Sequence, residues 1–267
     1  MPPKIHLVRH AEGEHNLSQT AWTIIDPALT PYGLVQCHQL RENFPHHSQV
    51  GLVVSSPLSR AISTAVEGFR PVFENEKVPG RSVELVLLPD LQEIGDFPCD
   101  VGSEGDDLRR KVEKLGVCVN FGFVERGWTS KTGRYKPALK AIEQRAKDIR
   151  LWLYRQTANE IVVVSHGAFL HFLTDDWEEG YSEKGTGWSN AEYRSYELQP
   201  KSNKNKVDGQ GTEVEDFEFV ETAESRRQRG RTGPVSTQEK QKELYAAALR
   251  AWEEQGYLVN AARVNGA

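Results

Sequence analysis

Only three of the 267 residues are cysteine, and Cys37, Cys99 and Cys118 stand far apart. An odd, sparse set is no disulfide framework, and none has the C-x-x-C partner of a redox or zinc motif. The chain also lacks any apolar run near the roughly 20 residues that a membrane span requires. Met1-Pro2-Pro3-Lys4 leads straight into a strand with no secretory hydrophobic region. The expectation from these absences is a cytoplasmic protein in a reducing compartment that spans no membrane. An excess of one charge is missing too. A formal net charge of -5 offers nucleic acid and anionic membranes no global attraction, so any phosphate must be held in a local basic pocket. There is no H-E-x-x-H motif, His46-His47 follow a proline, and His166 and His171 are five apart, poor spacing for one helix face. No metal is expected on these grounds. Internal repeats and clear linkers are absent, so the simplest organisation is one domain over residues 1–267.

What is present is a series of short apolar runs, each ending in a chemically useful residue. Ile5-His6-Leu7-Val8 reads as a buried strand that stops at Arg9-His10, followed by a polar loop with Gly13. In open α/β sheets the carboxyl end of a strand is where ligands bind. An imidazole beside a guanidinium there suits a nucleophile next to an anion clamp. Thr30-Pro31 marks an N-cap with proline at the first helical position, and Leu34, Val35, Leu40 and Phe44 are expected to form the helix's apolar face, ending near Pro45. Gly51-Leu52-Val53-Val54-Ser55 is a second strand, and Arg60 falls in the first turn of the helix after it, a favourable place to meet an anion. Residues 83–88 form a third strand, with Glu93 just beyond it. The most strand-like run, Ile161-Val162-Val163-Val164-Ser165, is continuous and β-branched like a central parallel strand. It delivers His166-Gly167.

Between these lie a core-facing helix from Pro137 to Tyr154 and an irregular insertion at 96–136 with a short helix at 104–115. Long loops in compact domains are usually functional, so the insertion is expected to cover the site as a lid. After residue 188 come a strand near a sheet edge (188–198), an exposed loop (199–210), a short strand (217–220) and a basic run, Arg226 to Arg231, read as solvated loop. Thr237 is expected to cap a last helix that carries Leu244, Ala247, Ala248 and Trp252 on one face and stops at Gly256. The predicted fold is α/β, a three-layer αβα sandwich with a mostly parallel central sheet.

If the strands are parallel neighbours, Arg9, His10, Arg60, Glu93 and His166 converge. Two arginines and a second histidine can neutralise a phosphate dianion, a neutral imidazole can attack phosphorus, and a carboxyl group can protonate the leaving alkoxide. The guanidinium groups supply the positive charge, so this chemistry calls for no metal or other cofactor.

The same residues resemble the signatures of the histidine phosphatase superfamily, in the branch of cofactor-dependent phosphoglycerate mutases and related phosphatases. Leu7-Val8-Arg9-His10-Ala11-Glu12 through Asn16 is similar to its R-H-G-E-x-x-x-N motif. Asp26-Pro27, Leu29-Thr30, Gly33 and Gln36 resemble its D-x-x-L-T-x-x-G-x-x-Q segment. Ser55-Ser56-Pro57-Leu58 with Arg60-Ala61 and Thr64 resembles S-x-L-x-R-A-x-x-T. Leu91-Gln92-Glu93 matches the loop that carries the acid, and Val164-Ser165-His166-Gly167 the second histidine. The resemblance spans about the first 200 residues in order, and its motifs are specific jointly. It implies that His10 becomes phosphohistidine and that Arg9, Arg60, His166 and the Gly167 N–H bind the phosphoryl group. It further implies that Asn16 holds phosphate or substrate, while Glu93 serves as acid and then as base. Ala11 departs from the usual glycine, Gly13 stands where a Ser or Thr often donates to phosphate, and the 96–136 insertion and the extension from about 200 to 267 have no counterpart.

The resulting expectation is a metal-independent phosphomonoesterase acting on a small phosphorylated metabolite. Three alternatives remain open at this point: phosphoglycerate mutase-type transfer, with Lys131, Arg134 and Lys136 as candidate extra cations; the same pocket reused for other acid–base chemistry in a biosynthetic pathway; and a non-catalytic binding protein. Sequence leaves the oligomeric state open.

Overall fold

The computed structural model describes residues 3–74, 83–180, 186–201 and 216–258. Seven strands, β1 (Lys4–Arg9), β2 (Val50–Ser55), β3 (Leu85–Leu87), β4 (Val119–Asn120), β5 (Glu160–Ser165), β6 (Tyr193–Pro200) and β7 (Phe217–Glu221), form one sheet. Their order is β4-β3-β2-β5-β1-β6-β7. The first five in that order are parallel, and β6 and β7 add antiparallel to β1 at one side. Helices α1 (Pro31–Asn43), α2 (Ser59–Gly68), α3 (Arg70–Phe73), α4 (Gly105–Glu113), α5 (Leu139–Tyr154), α6 (Gly167–Thr174), α7 (Ala223–Gln228) and α8 (Gln238–Glu254) complete the described structure.

Strand β5 shows why the architecture has three layers. Ile161 and Val163 sit in one apolar cluster with residues of α5, α6 and α8, and Val162 and Val164 sit in the other with residues of α1, α2 and α4. A strand buried on both faces needs no polar alternation. Each fully buried Val or Ile contributes roughly 1.5–3 kcal/mol, which favours the sheet's centre for the most β-branched run in the chain.

Register then sets the site. Arg9 pairs with Ser165 across β1 and β5, and Ser55 of β2 pairs with Val164 of β5 and Leu87 of β3. The carboxyl ends of four parallel strands are therefore level, and the residues just beyond them meet.

Two expectations need correction. In α1 the buried residues are Gly33, Cys37 and Leu40, with Phe44 just beyond, whereas Leu34 and Val35 are 44% and 48% exposed. The stripe 33, 37, 40, 44 keeps helical spacing, and its first two members are small because the helix packs closely. The basic run is only partly loop: residues 226–228 end α7, and residues 229–231 follow it. Arg226 lies in α7 and Arg229 just after it, both pairing with Glu221, while Arg229 and Arg231 reach Glu179. The strand expected at 188–198 runs from Tyr193 to Pro200. Most of the 199–210 loop lies outside the described residues. Of the insertion, α4 lies where a helix is expected, and Val119–Asn120 extends the sheet as β4. No helix of the described residues is long and apolar enough to cross a membrane.

Candidate active site

Arg9, His10, Asn16, Arg60, Glu93 and Gly167 line one cleft of about 610 Å³. His166 joins them, its ring 5.1 Å from that of His10. All seven residues singled out in the sequence are thus brought together.

His10 follows the last residue of β1, and its backbone N–H donates to Ser165 O (3.0 Å). Its Nδ1 lies 2.7 Å from Ala11 O. A carbonyl can only accept, so the ring proton is on Nδ1 and Nε2 is the unprotonated nitrogen. Burial, with Arg60, His15 and Arg9 nearby, holds the imidazole well below its usual pKa and therefore neutral. A neutral ring with one lone pair oriented by its other nitrogen can act as a nucleophile.

Around it lie polar nitrogens that no protein group satisfies. Buried Nε of Arg9, Nε of Arg60, Nδ1 of His15 and Nδ1 of His166 all lack a hydrogen-bond partner within the protein. Arg60 is 1% exposed; its other nitrogens donate to Cys99 O (2.5 Å) and Asp100 Oδ1 (2.9 Å). Arg9 donates to Trp188 O. His166 Nε2 lies 2.9 Å from Ser56 Oγ, and that oxygen also accepts from Leu58 N. When the Ser56 hydroxyl donates to Nε2, the ring proton is on the unpartnered Nδ1. Buried polar groups are nearly always satisfied, so two guanidinium N–H donors and two imidazole nitrogens left without partners in one place can receive an anion.

Glu93 is anchored at the N-terminus of α6. Its carboxylate accepts from Ile94 N (2.9 Å), Phe169 N (3.0 Å) and Ala168 N (3.3 Å), leaving the Gly167 N–H untouched by it. Burial, followed by the charge of Asp100, raises its pKa against those backbone donors. Two buried groups shape the segment before it. Arg145 of α5 donates to Asp90 O (3.1 Å) and Gln92 O (2.9 Å), and Ser165 Oγ donates to Leu91 O (2.7 Å). Arg145 is fully buried with its guanidinium 4.7 Å over the Phe169 ring. It is a positioning residue that helical spacing alone assigned to no role.

The loop after His10 is held from behind. Thr64 Oγ1 accepts from Ala11 N (2.9 Å), Gln36 Oε1 accepts from Glu12 N (2.7 Å), and Thr30 Oγ1 donates to Glu12 Oε1 (2.8 Å). A Cβ on Gly33 would lie 2.1 Å from Glu12 O, so only glycine lets α1 approach. Asp26 clasps Ser59 N, Ser59 Oγ, Ser103 Oγ and Lys111 Nζ, which hold its carboxyl below the usual range and fix the start of α2 ahead of Arg60. The Ala11 backbone is not among the positive-φ positions, so alanine is accommodated without strain. A Cβ on Gly13 would meet the His15 ring at 2.8 Å. The space for a side chain at 13 is therefore taken by the imidazole of His15, 5.3 Å from His10 and pushed down to about pKa 2 by burial and by Arg60 and Arg9. Asn16 is exposed at the rim, its Oδ1 accepting from Gly13 N (3.0 Å), while Asn190 Nδ2 donates to His10 O (3.0 Å).

The walls come from two stretches far apart in the chain. From the insertion, Phe97 lines the cleft together with Cys99 and Asp100; Trp128 is buried against Gly102 instead. The C-terminal extension returns to the site, where α8 and the residues after it supply Trp252, Gln255 and Tyr257. Lys131 donates to Gln92 Oε1 (2.6 Å), and Arg134 is held by Asp90 and Asp148; neither they nor Lys136 line the cleft. Among the described residues no group of three or more His, Cys, Asp or Glu is placed to hold a metal ion.

Residues 5–209 match the family model of the histidine phosphatase superfamily (branch 1). A phosphoglycerate mutase-like protein of Arabidopsis thaliana is 29% identical over 245 residues, covering 74% of this chain and 85% of that one. A "probable phosphatase" of Schizosaccharomyces pombe is 27% identical over 165 residues, 61% of this chain and 73% of that one. The ecdysone phosphate phosphatase of Bombix mori, solved with tungstate, superposes with a TM-score of 0.52 at 14% identity over 73% of this chain and 88% of its own, a likeness of fold.

Proposed function

The chain belongs to the histidine phosphatase superfamily (branch 1), and we propose that within it the protein is a phosphomonoesterase acting through a phosphohistidine on His10. The observation that carries this reading is the set of four partnerless buried nitrogens, from Arg9, His15, Arg60 and His166, around a neutral imidazole. In the proposed first step His10 Nε2 forms a bond to phosphorus as the ester P–O bond breaks, and the leaving oxygen takes a proton from Glu93. In the second step water attacks phosphorus, gives a proton to the Glu93 carboxylate, and the P–N bond breaks to release phosphate and restore His10. Arg9, Arg60, His166 and the Gly167 N–H would stabilise the charge that builds on the three equatorial oxygens, with Asn16 at the substrate side. The raised pKa of Glu93 suits it to begin as an acid. The positive charge is supplied by guanidinium groups, so turnover is proposed to need no metal. Three unpaired thiols fit the cytoplasmic setting that completes the proposal, and residues 96–136 and 200–267 are taken as elaborations of one domain.

Hydrolysis is favoured over mutase-type transfer by the placement of cations. A bisphosphate intermediate has two anionic ends, and Lys131, Arg134 and Lys136 are not in the cleft to meet the second. The decisive assay is phosphate release from an aryl phosphate in the presence of chelator, with wild type and His10→Ala compared. Chelator-resistant turnover that His10→Ala abolishes, with unchanged circular dichroism, is the expected result. Turnover that survives in His10→Ala removes the phosphohistidine route, and turnover lost to chelator removes metal independence.

A further inference from the structure

One wall of the cleft is aromatic. Trp22 lies on the short helix Gln19–Thr23, Phe97 in the loop after Glu93, and Tyr257 just after α8. Their ring centroids form a closed triangle, 5.0 Å from Trp22 to Phe97, 5.5 Å from Trp22 to Tyr257 and 5.2 Å from Phe97 to Tyr257. Trp128 and Trp188, by contrast, are each only 2% exposed. The three cleft rings are only half-buried, so apolar ring surface is left facing the cleft they line. The segment that carries Trp22 also exposes Leu17 and Ile25, at 66% and 67%.

The charge of the lining is equally selective. Its only cationic side chains among the described residues are Arg9 and Arg60, both beside His10, while Glu93 and Asp100 are acidic and Asn16, Gln19, Asn190 and Gln255 are neutral. Asp100 already holds one nitrogen of Arg60 at 2.9 Å. A phosphate at His10 would therefore meet all the positive charge of the described lining. A second phosphate or a carboxylate on the substrate would find no further cation among the described residues that line the cleft. A cavity of about 610 Å³ is of the size that takes a small organic molecule, commonly about 300–1,000 Å³.

We propose that the alcohol portion of the substrate is uncharged, flat and apolar, an aromatic or fused-ring group that rests on Trp22, Phe97 and Tyr257 while its single phosphate is held at His10. This rests on the phosphomonoesterase reading and deepens it. Aromatic rings favour offset or edge-on stacking, and the neutral amides leave room for a few hydroxyl groups on the ring system. Sugar phosphates lack the flat apolar face, and phosphoglycerates carry the second charge that the cleft does not balance.

Three esters separate these features: 2-naphthyl phosphate, phenyl phosphate, whose leaving group is of similar acidity, and 3-phosphoglycerate. Binding is measured by calorimetry on full-length His10→Ala, which leaves the ester intact, and kcat/KM is measured on the wild type. The naphthyl ester should bind about tenfold more tightly than the phenyl ester, with 3-phosphoglycerate weakest. Trp22→Ala and, independently, Phe97→Ala in that background should bring the naphthyl-to-phenyl ratio close to one, with thermal unfolding checked for each. Equal binding of the two aryl esters overturns the proposal. So does a ratio that neither substitution changes, which would make the rings a purely structural tie for the C-terminal segment, or tighter binding of 3-phosphoglycerate. A binding preference without wild-type turnover would support the aromatic site and count against hydrolysis, whereas turnover without preference would do the reverse.

Discussion

Glu93 is pulled in opposite directions by its surroundings. Burial and Asp100 favour the protonated form, while the N–H groups of Ile94 and Ala168 favour the carboxylate. A group so balanced can give a proton and take one back within a cycle, as the proposed mechanism requires. If Glu93 is the acid, Glu93→Gln should slow alkyl phosphates by about 100-fold or more while sparing esters with good leaving groups such as 4-nitrophenyl phosphate. The comparison of kcat on the two substrate types checks this, and equal losses would assign the proton to another group. Activity should also decline as pH rises through the raised pKa of Glu93, because the acid form is then lost. Glu93 was readable as the residue beyond a strand. His15 and Arg145 carry no such signal, because one is a histidine inside a polar loop and the other sits on an apolar helix stripe. Only the packing shows that the first fills the place of a side chain at 13 and that the second ties down the Glu93 loop.

At the scale of elements, the site depends on helices that never touch it. Helix α1 abuts the loop after His10 through Gly33, whose hypothetical Cβ would lie 2.1 Å from a backbone oxygen that cannot swing aside. Gly33→Ala should cost roughly 1–3 kcal/mol and reduce turnover, since relief comes only by moving α1 or the loop. Thermal unfolding and kcat measured together test this; loss of stability with full kcat would show that the loop holds its position without the helix. The capping of α1 by Thr30, the start of α2 and the existence of β1, β2 and β5 follow from local residue order. The face that α1 buries did not, because Leu34 and Val35 are more apolar than Gly33 and Cys37, yet a close helix contact selects for small size.

Across the whole molecule, histidine burial sets the response to acid. His6 is pushed down to about pKa 4 by burial, against the pull of Glu160, with His46 and Lys4 also opposing its charge. His10, His15, His166 and His171 are lowered as well. In the unfolded chain these rings take up protons near pH 6.5 that the native state refuses, so the unfolded state binds more protons and stability falls as pH drops. His6 alone accounts for roughly 3 kcal/mol between pH 6.5 and 4. The lowered carboxyls of Asp26, Glu178 and Asp216 act in the same direction, with their contribution lost as pH falls through their native pKa values, whereas Glu93 acts in the opposite one. Urea unfolding at pH 7 and pH 5 should show the protein clearly less stable at the lower pH, and a flat or rising midpoint would contradict the neutral burial of these rings.

The sequence by itself determined the layered α/β architecture, because apolar runs of strand length alternate with helical stripes, and it placed the residues of the proposed anion site, because strand-end residues are set by local order. What the tertiary structure decided is the shape and selectivity of the cleft. Trp22, Phe97 and Tyr257 are up to 235 positions apart (257 − 22), and no local pattern links them. They meet because α8 packs its Ala248 and Trp252 into the same apolar cluster as α6, which brings Tyr257 to the cleft beyond the carboxyl ends of the strands.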